Sequence, residues 1–443
     1  MVDWNRTVSD GDLPLTVFQD LIMRVLHAIQ GYPPWIGGSQ RFFQEISERL
    51  VAEGHQVILA TTDAGELEHF WARDRQSVGP SQEFINGVHV RRFAVKRCLN
   101  QPFFFSFYRR LMAELSDLPV DLVALLRQLT RFTPRLPDYE AYLSATNEHF
   151  DLVHGGNITL DFMLWPAFDF ARGHGIPFVV TPFTHFGAPG QRRVRRYYTM
   201  QHHQYLLRFA DAVITQTQLE SDLWSGLGVQ RERLVCTGSG ANPKEAMSGD
   251  GKRFRERHQL AGPIVFYVGT LAYDKGTIHT VKAMHRLWDE GRQVHLVLAG
   301  QIMSHVRRYL ERLPSDVASR MHVLGFISEE EKRDLLAAGD LFCMPSCTDS
   351  FGMGYLEAWT NGVPVIGARA GGVPAVIDDG VNGLLVDFGD VVELSEAITR
   401  ILDDPALGAE MGRRGREKVY AEMTWERVYE RVRRVYQKLS SSE

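Results

Sequence analysis

The sequence predicts an α/β fold in which two doubly wound, Rossmann-like domains face each other across a cleft. Three observations predict it. Short apolar runs rich in β-branched residues alternate with helical patterns from residue 23 onward. The 443 residues exceed the roughly 250–300 that one hydrophobic core supports. Between two similarly built halves, the stretch GSGANPKEAMSGDG at 238–251 is rich in Gly, Pro, Ser and Asn and keeps no hydrophobic period.

Taken in order, the strand candidates of the first half are MRVLHAIQ (23–30), HQVILATT (55–62), DLVHGGN (151–157), PFVVTPF (177–183) and DAVITQT (211–217). Those of the second half are PIVFYVG (263–269), VHLVLAG (294–300), MHVLGFI (321–327), DLFCMPS (340–346), VPVIGAR (363–369) and GLLVD (383–387). Continuous apolar runs mean strands buried on both faces, and their alternation with helices means parallel sheets with right-handed crossovers. The expected division is an extension at 1–22, a first domain at 23–242, a second at 243–420 and a closing helix at 421–443. In that helix Trp425, Val428, Tyr429, Val432, Val435 and Tyr436 share one face, so it must dock on something.

Composition narrows the function classes. With 44% hydrophobic and 23% charged residues and no apolar run of the ~18–20 residues a membrane span needs, a soluble protein is expected. Lys and Arg number 49 against 54 Asp and Glu, a net charge of −5 that gives no global attraction to nucleic acid. Cys98, Cys236, Cys343 and Cys347 show neither a disulfide framework nor metal-ligand spacing, and no secretory signal opens the chain. The expectation is a cytoplasmic protein with no metal and no bound cofactor.

Several motifs carry chemistry. Gly37 and Gly38 follow the first strand and precede a helix with Phe42, Phe43, Ile46 and Leu50 on one face. Glycines there let backbone approach a ligand, and the helix start offers unpaired N–H groups to an anion; the alternative is a tight turn. Lys275, in FYVGTLAYDKG, sits in a loop over strand ends, placed either as a phosphate partner or as a solvated lysine. The stretch DSFGMGYLE opens a helix at Phe351-Gly352, putting Asp349 at or just before its start and Glu357 about two turns further along, about 9–10 Å at 1.5 Å per residue.

One acid then reaches a sugar, the other the far side of the same ligand, and phosphates lie at the N–H groups of Phe351, Gly352 and Met353. The plainer alternative is an N-cap and an ordinary helical Glu, but Glu357 among Tyr355, Leu356, Ala358 and Trp359 needs a partner. Gly371 and Gly372 offer a second close-approach backbone. His154 and His185 end strands of the first domain and are candidates for proton sharing at the cleft.

Phe104, Tyr108, Leu111 and Leu115 share a helical face beside Arg109 and Arg110, and QRRVRRYY adds Arg192, Arg193, Arg195 and Arg196. Such a basic-aromatic surface suits an anionic membrane or a lipid-linked acceptor phosphate; an inserted helix with a solvated basic loop is the alternative.

The ordered block PSCTDSFGMGYLEAWTNGVPVIGARAGGVPAVIDDGVNGLLV, with the glycine loop and VGTLAYDKG, resembles the retaining glycosyltransferases of family 4, the group 1 type, which have the GT-B fold. The resemblance covers nearly the whole chain from Met23. It implies a hexosyltransferase of the kind used in polysaccharide biosynthesis, moving sugar from a nucleoside diphosphate donor, a UDP-sugar first, to a glycan, lipid-linked or small-molecule hydroxyl. The first domain would hold the acceptor, the second the donor, and the closing helix would cross back to the first, with peripheral contact at the inner face of the membrane.

Residue by residue, it implies that Lys275 holds the diphosphate, Asp349 faces the donor sugar, Glu357 binds the ribose and His185 stands near the sugar. Gly37 and Gly38 would lie against the diphosphate, and Phe326 and Ile327 would border the base. Asp349, His185 and Lys275 form the expected catalytic group; His154 and the four arginines form the acceptor side. Three positions depart from the pattern: Thr270 where many relatives carry Arg, Asp349 where Glu is usual, and Ala375 where GGxxE is usual. The fold also serves sugar-nucleotide epimerases and phosphorylases, and a non-catalytic sugar-nucleotide-binding subunit is the reading from another class.

Overall fold

The computed structural model of the protein describes residues 22–35, 37–65, 67–70, 77–96, 102–132, 134–190 and 192–441. The expected 1–22 extension, save Ile22, and Cys98 lie outside them. The first sheet runs β3-β4-β2-β1-β5-β6-β7-β8. Its strands are β1 (Arg24–Ala28), β2 (Gln56–Thr62), β3 (Gln82–Ile85), β4 (Val88–Phe93), β5 (Leu152–Gly156), β6 (Phe178–Thr181), β7 (Ala212–Thr215) and β8 (Leu234–Cys236).

The second sheet runs β11-β10-β9-β12-β13-β14. It comprises β9 (Ile264–Val268), β10 (His295–Ala299), β11 (Met321–Gly325), β12 (Leu341–Cys343), β13 (Val365–Ala368) and β14 (Leu384–Val386). Every apolar run read from the sequence forms one of these strands, and each pairs in parallel with its neighbours. Apolar side chains on both faces need helices on both faces, which is the doubly wound arrangement.

Three strands escaped the sequence reading. β3 and β4 form an antiparallel hairpin at the edge, closed by Asn86 (φ 48°) and Gly87 (φ 83°). Asn-Gly is the pair that tolerates positive φ at both turn positions, and the alternating burial of β4 is the signature of a half-exposed edge. The third, β8, has only three residues.

The strand order fixes where a ligand goes. In the first sheet the chain proceeds outward in opposite directions from β1 and β5; in the second, from β9 and β12. Open sheets of this kind bind ligands beyond the carboxyl ends of strands at such switch points.

The chain passes between the sheets at Ala241 and again at Thr424, which face each other in a bridge. The Trp425–Ser440 helix then buries Trp425, Val428, Tyr429, Val432, Val435 and Tyr436 in the first lobe's core, beside Val25, Phe42, Phe43 and Leu152. Thr424 caps it by accepting from the Arg427 N–H. At its far end the Tyr436 hydroxyl lies 3.0 Å from His27 Nε2 and 2.5 Å from His154 Nδ1, and Thr181 Oγ1 is 2.8 Å from His154 Nε2.

This corrects the expectation for His154. It is fully buried beneath the closing helix and does not face the cleft; burial, then the neighbouring His27, holds its pKa well below the usual value. Among the described residues no helix is long and apolar enough to cross a membrane. Tyr436→Phe leaves two buried imidazoles short of a partner, so chemical denaturation is expected to show a loss of about 1–3 kcal/mol.

Candidate active site

Both switch points open onto the same gap. After β9, the loop to Gly276 is shaped by the Tyr267 hydroxyl donating to the Thr270 carbonyl at 2.7 Å, and it delivers Asp274 and Lys275. Gly276 has φ 81°, and a Cβ there would lie 2.3 Å from the Pro345 carbonyl oxygen, so the two switch-point loops touch only because it is glycine. Asp274 joins them further: its carboxylate accepts from the Thr348 hydroxyl at 2.6 Å and its carbonyl from the Cys347 N–H at 2.8 Å.

Lys275 and Asp349, which follow β9 and β12, meet here. Lys275 Nζ donates to Asp349 Oδ1 at 2.8 Å, both side chains being about one-fifth exposed (20% and 19%). Burial opposes charge on both, but each charge stabilises the other: the Lys275 pKa is raised and the Asp349 pKa lowered. Asp349 Oδ2 is buried and makes no close hydrogen bond among the described residues, although the nearby Ser346 hydroxyl helps keep the carboxyl ionised.

His185, after β6, is close enough to feel both charges. Burial, then the Lys275 ammonium, lowers its pKa to about 4, so the ring is neutral near pH 7. Tyr198 stacks on it with ring centroids 5.0 Å apart.

The Asp349–Glu357 stretch differs from its expectation. The helix begins only at Met353, after Gly352 at φ 89°, so Asp349 stands in a loop and the two acids do not lie along one helix. The partner that Glu357 required is Lys332, whose Nζ lies 2.7 Å from its Oε1. Gly371 and Gly372 make room for protein backbone: Cβ atoms there would lie 2.5 Å from Asp349 O and 1.9 Å from Ser350 O. Gly371 N–H donates to Gly187 O of the first lobe at 3.1 Å, and Ser350 Oγ donates to Gln216 Oε1 at 3.0 Å.

Gly37 caps the Gly38–Ala52 helix, and a Cβ on Gly38 would be 3.5 Å from Met353 Cε, so two helix starts face each other across the gap. The Thr277–Asp289 helix has Gly276 as its cap. These three starts, at Gly37, Gly276 and Gly352, have no side-chain cap; those at Leu122, Leu136, Leu160 and Met200 lack one too, so what sets the three apart is glycine at the cap and their place at the switch points. Uncapped amides, including those near Phe351, Gly352 and Met353, are what an anion requires.

Thr270 and Phe326 are exposed, Phe326 at 78%, and Ile327 packs partly on the second core. Arg196 is engaged by Glu114 at 2.7 Å and Asp117 at 2.8 Å, which corrects its place among residues awaiting an acceptor phosphate. Arg193 is exposed and Arg195 half-buried; Arg192 shares their short helix.

Arg109 is likewise no surface charge: it is buried against Asp161 at 2.8 Å. The same Asp161 oxygen lies 2.9 Å from Nε2 of both His202 and His203, a trio spaced as metal ligands are. The guanidinium on that oxygen makes it an ion-pair network instead. Two concavities of about 300 and 380 Å³ open on the first lobe, at Arg127 and Trp165 and at Leu118 and Tyr205, neither of them lined by the Lys275 group. The sequence reading missed Asp274, Lys332 and Gln216, which carry no motif of their own.

Comparison with known proteins agrees with this architecture. The family described as Glycosyl transferases group 1 matches residues 250–418, and the Glycosyl transferase 4-like domain matches 37–240. A GDP-mannose-dependent monoacylated alpha-(1-6)-phosphatidylinositol monomannoside mannosyltransferase of Corynebacterium glutamicum is 34% identical over 182 residues, 40% of this chain and 47% of that one. The chain thus spans about half the length of the first curated relatives it matches.

Glycogen synthase of Mycobacterium tuberculosis is 25% identical over 94% of both chains. In fold, the chain is similar to Anabaena HepE crystallised with UDP and glucose (TM-score 0.67, 19% identity, 94% of this chain and 100% of that one). It is also similar to sucrose-phosphate synthase of Thermosynechococcus elongatus (TM-score 0.70, 21% identity, 96% and 100%). With a 4-like first domain and a group 1 second domain facing each other in the GT-B arrangement, the chain belongs to the group 1 glycosyltransferases.

Proposed function

We propose that the chain moves a hexosyl unit from a nucleoside diphosphate sugar, a UDP-sugar first, to a hydroxyl of a glycan, lipid-linked or small-molecule acceptor, with retention of configuration. The observation that carries this is the meeting of Lys275, Asp349, His185 and three glycine-capped helix starts at the two switch points. A relative described as GDP-mannose-dependent and a fold neighbour crystallised with UDP and glucose support the donor class.

In this reading the bond from the anomeric carbon to the diphosphate breaks with its electrons on the phosphate oxygen, and the acceptor oxygen bonds to the same face as its proton passes to that departing phosphate oxygen. The growing charge is met by Lys275 and the uncapped amides, preorganised in a partly desolvated gap. An ammonium has three donors; Asp349 takes one and two remain for phosphate oxygens. Asp349 Oδ2 is placed to accept from a sugar hydroxyl. Neutral His185 donates or accepts a hydrogen bond without adding charge. Glu357, held by Lys332, binds the ribose hydroxyls.

Release of nucleoside diphosphate from UDP-glucose, GDP-mannose and other sugar nucleotides tests the reading directly; a chain that binds donors without turning any over is a binding subunit instead. Lys275→Ala is expected to weaken nucleoside diphosphate binding about tenfold or more by calorimetry. Asp349→Ala should lower turnover about 100-fold while changing nucleotide affinity little, and Glu357→Ala should weaken nucleotide affinity about tenfold. Equal, small effects on both quantities would remove these roles.

The low His185 pKa makes a pH prediction. The ring stays neutral as pH falls through 6.5, so kcat/KM shows no histidine limb between about pH 5.5 and 8. An acid limb with an apparent pKa of about 6–7 that disappears in His185→Asn would show that the ring protonates there.

A further inference from the structure

A carboxylate beneath the gap is used by nothing above. Glu220 is fully buried in the first turn of the Gln218–Gly226 helix, where Thr217 accepts from its N–H at 3.1 Å. The sequence TQLE has the spacing of a capping box, in which the Glu side chain ordinarily returns to the N–H of its own cap residue. Here it does not. One Glu220 oxygen accepts from Thr184 N–H at 2.6 Å and the other from Gln216 N–H at 2.8 Å.

Those amides belong to two separate loops, and each loop leads to the site. Thr184 lies between Phe183, whose φ of 51° is costly for a side-chain-bearing residue, and His185. Trp224 of the same helix holds the Thr184 hydroxyl at 2.9 Å. Gln216 accepts from Ser350, the neighbour of Asp349 across the gap.

We infer that Glu220 is a positioning residue that fixes the His185 loop and, through Gln216 and Ser350, the alignment of the first lobe with the Asp349 loop. The inference rests on the proposed transfer reaction for its kinetic consequence, and on the loops alone for its structural one. Because Lys275, Glu357 and two of the three helix starts proposed to hold the nucleotide lie on the second lobe, misalignment reduces turnover more than nucleotide binding.

Glu220→Gln tests this, since the amide keeps one acceptor and turns an NH₂ toward the other N–H. UDP affinity by calorimetry is expected to stay within twofold, while diphosphate release from the best donor of the panel falls at least tenfold; Glu220→Asp, with both acceptors, recovers part of the loss. Ser221→Ala, on the same helix, removes a buried hydroxyl contact to Thr215 at the end of β7 and lowers Tm without that split. Parallel loss of affinity and turnover in E220Q, or unchanged turnover, overturns the inference.

If the wild-type chain turns over no donor, the transfer reading has failed, and hydrogen exchange decides the Glu220 assignment. The Thr184 and Gln216 amides should then exchange at least tenfold faster in E220Q than in wild type and S221A, and equal rates overturn it. If E220Q does not melt cooperatively, Gln216→Ala must show the same split between affinity and turnover, and its absence overturns the inference.

Discussion

The Lys275 ammonium and the Asp349 carboxylate, held 2.8 Å apart and largely out of water, set the constraint that the surrounding loops obey. A desolvated ion pair is favourable only when its geometry is tightly kept, because the desolvation penalty is otherwise unrecovered. Here the geometry comes from loops after β9, β12 and β13 that pack backbone to backbone. That packing explains glycine at 276, 371 and 372, where a Cβ would fall within 2.5 Å of a carbonyl oxygen. Asp274, bonded to Thr348 and Cys347, fixes the same contact.

The pair also decides what can attract an anion. Each lysine at the gap is matched by an acid, Lys275 by Asp349 and Lys332 by Glu357, and Asp274 adds a further negative charge beside them. Side chains at the centre therefore give little net positive field, and Thr270 adds none. The attraction falls to oriented main-chain amides at helix starts whose caps are glycine. The same surroundings keep His185 neutral: burial and an ammonium both act against a second cation there.

Much of this was legible in the sequence, and the rest was not for identifiable reasons. Continuous apolar runs located eleven strands, and the period of the closing helix named its six buried residues, because burial on a regular element leaves a pattern. The β3-β4 hairpin was missed because it alternates instead, although Asn86-Gly87 marks it. Pairings were the larger gap. Arg109 meets Asp161 and Arg196 meets Glu114 and Asp117 across long sequence separations, so residues that look like a basic surface are already neutralised.

His154 shows the same limit, since a strand-end histidine reads alike whether it meets a ligand or the Tyr436 hydroxyl. The helix start at Met353 in place of Phe351 was hidden because Gly352 at positive φ inserts a turn that periodicity does not register.

The chain path makes the two edges of the gap unlike. On one edge the lobes are joined covalently at both crossings, with Ala241 and Thr424 bridged and the closing helix buried in the first lobe. On the other, the contacts among the described residues are local: Gly371 with Gly187, Ser350 with Gln216, and Ala188 packed among Cys347, Ala368, Ala370 and Phe388. Each hydrogen bond contributes about 1 kcal/mol net, far less than the buried face of the closing helix. Separation therefore costs least at the edge where His185 and Asp349 meet. In the proposed reaction, a donor seated on the second lobe would complete its surroundings when this edge is shut, and alignment across two polar contacts, more than the rigidity of either sheet, would set the geometry of the reacting centre.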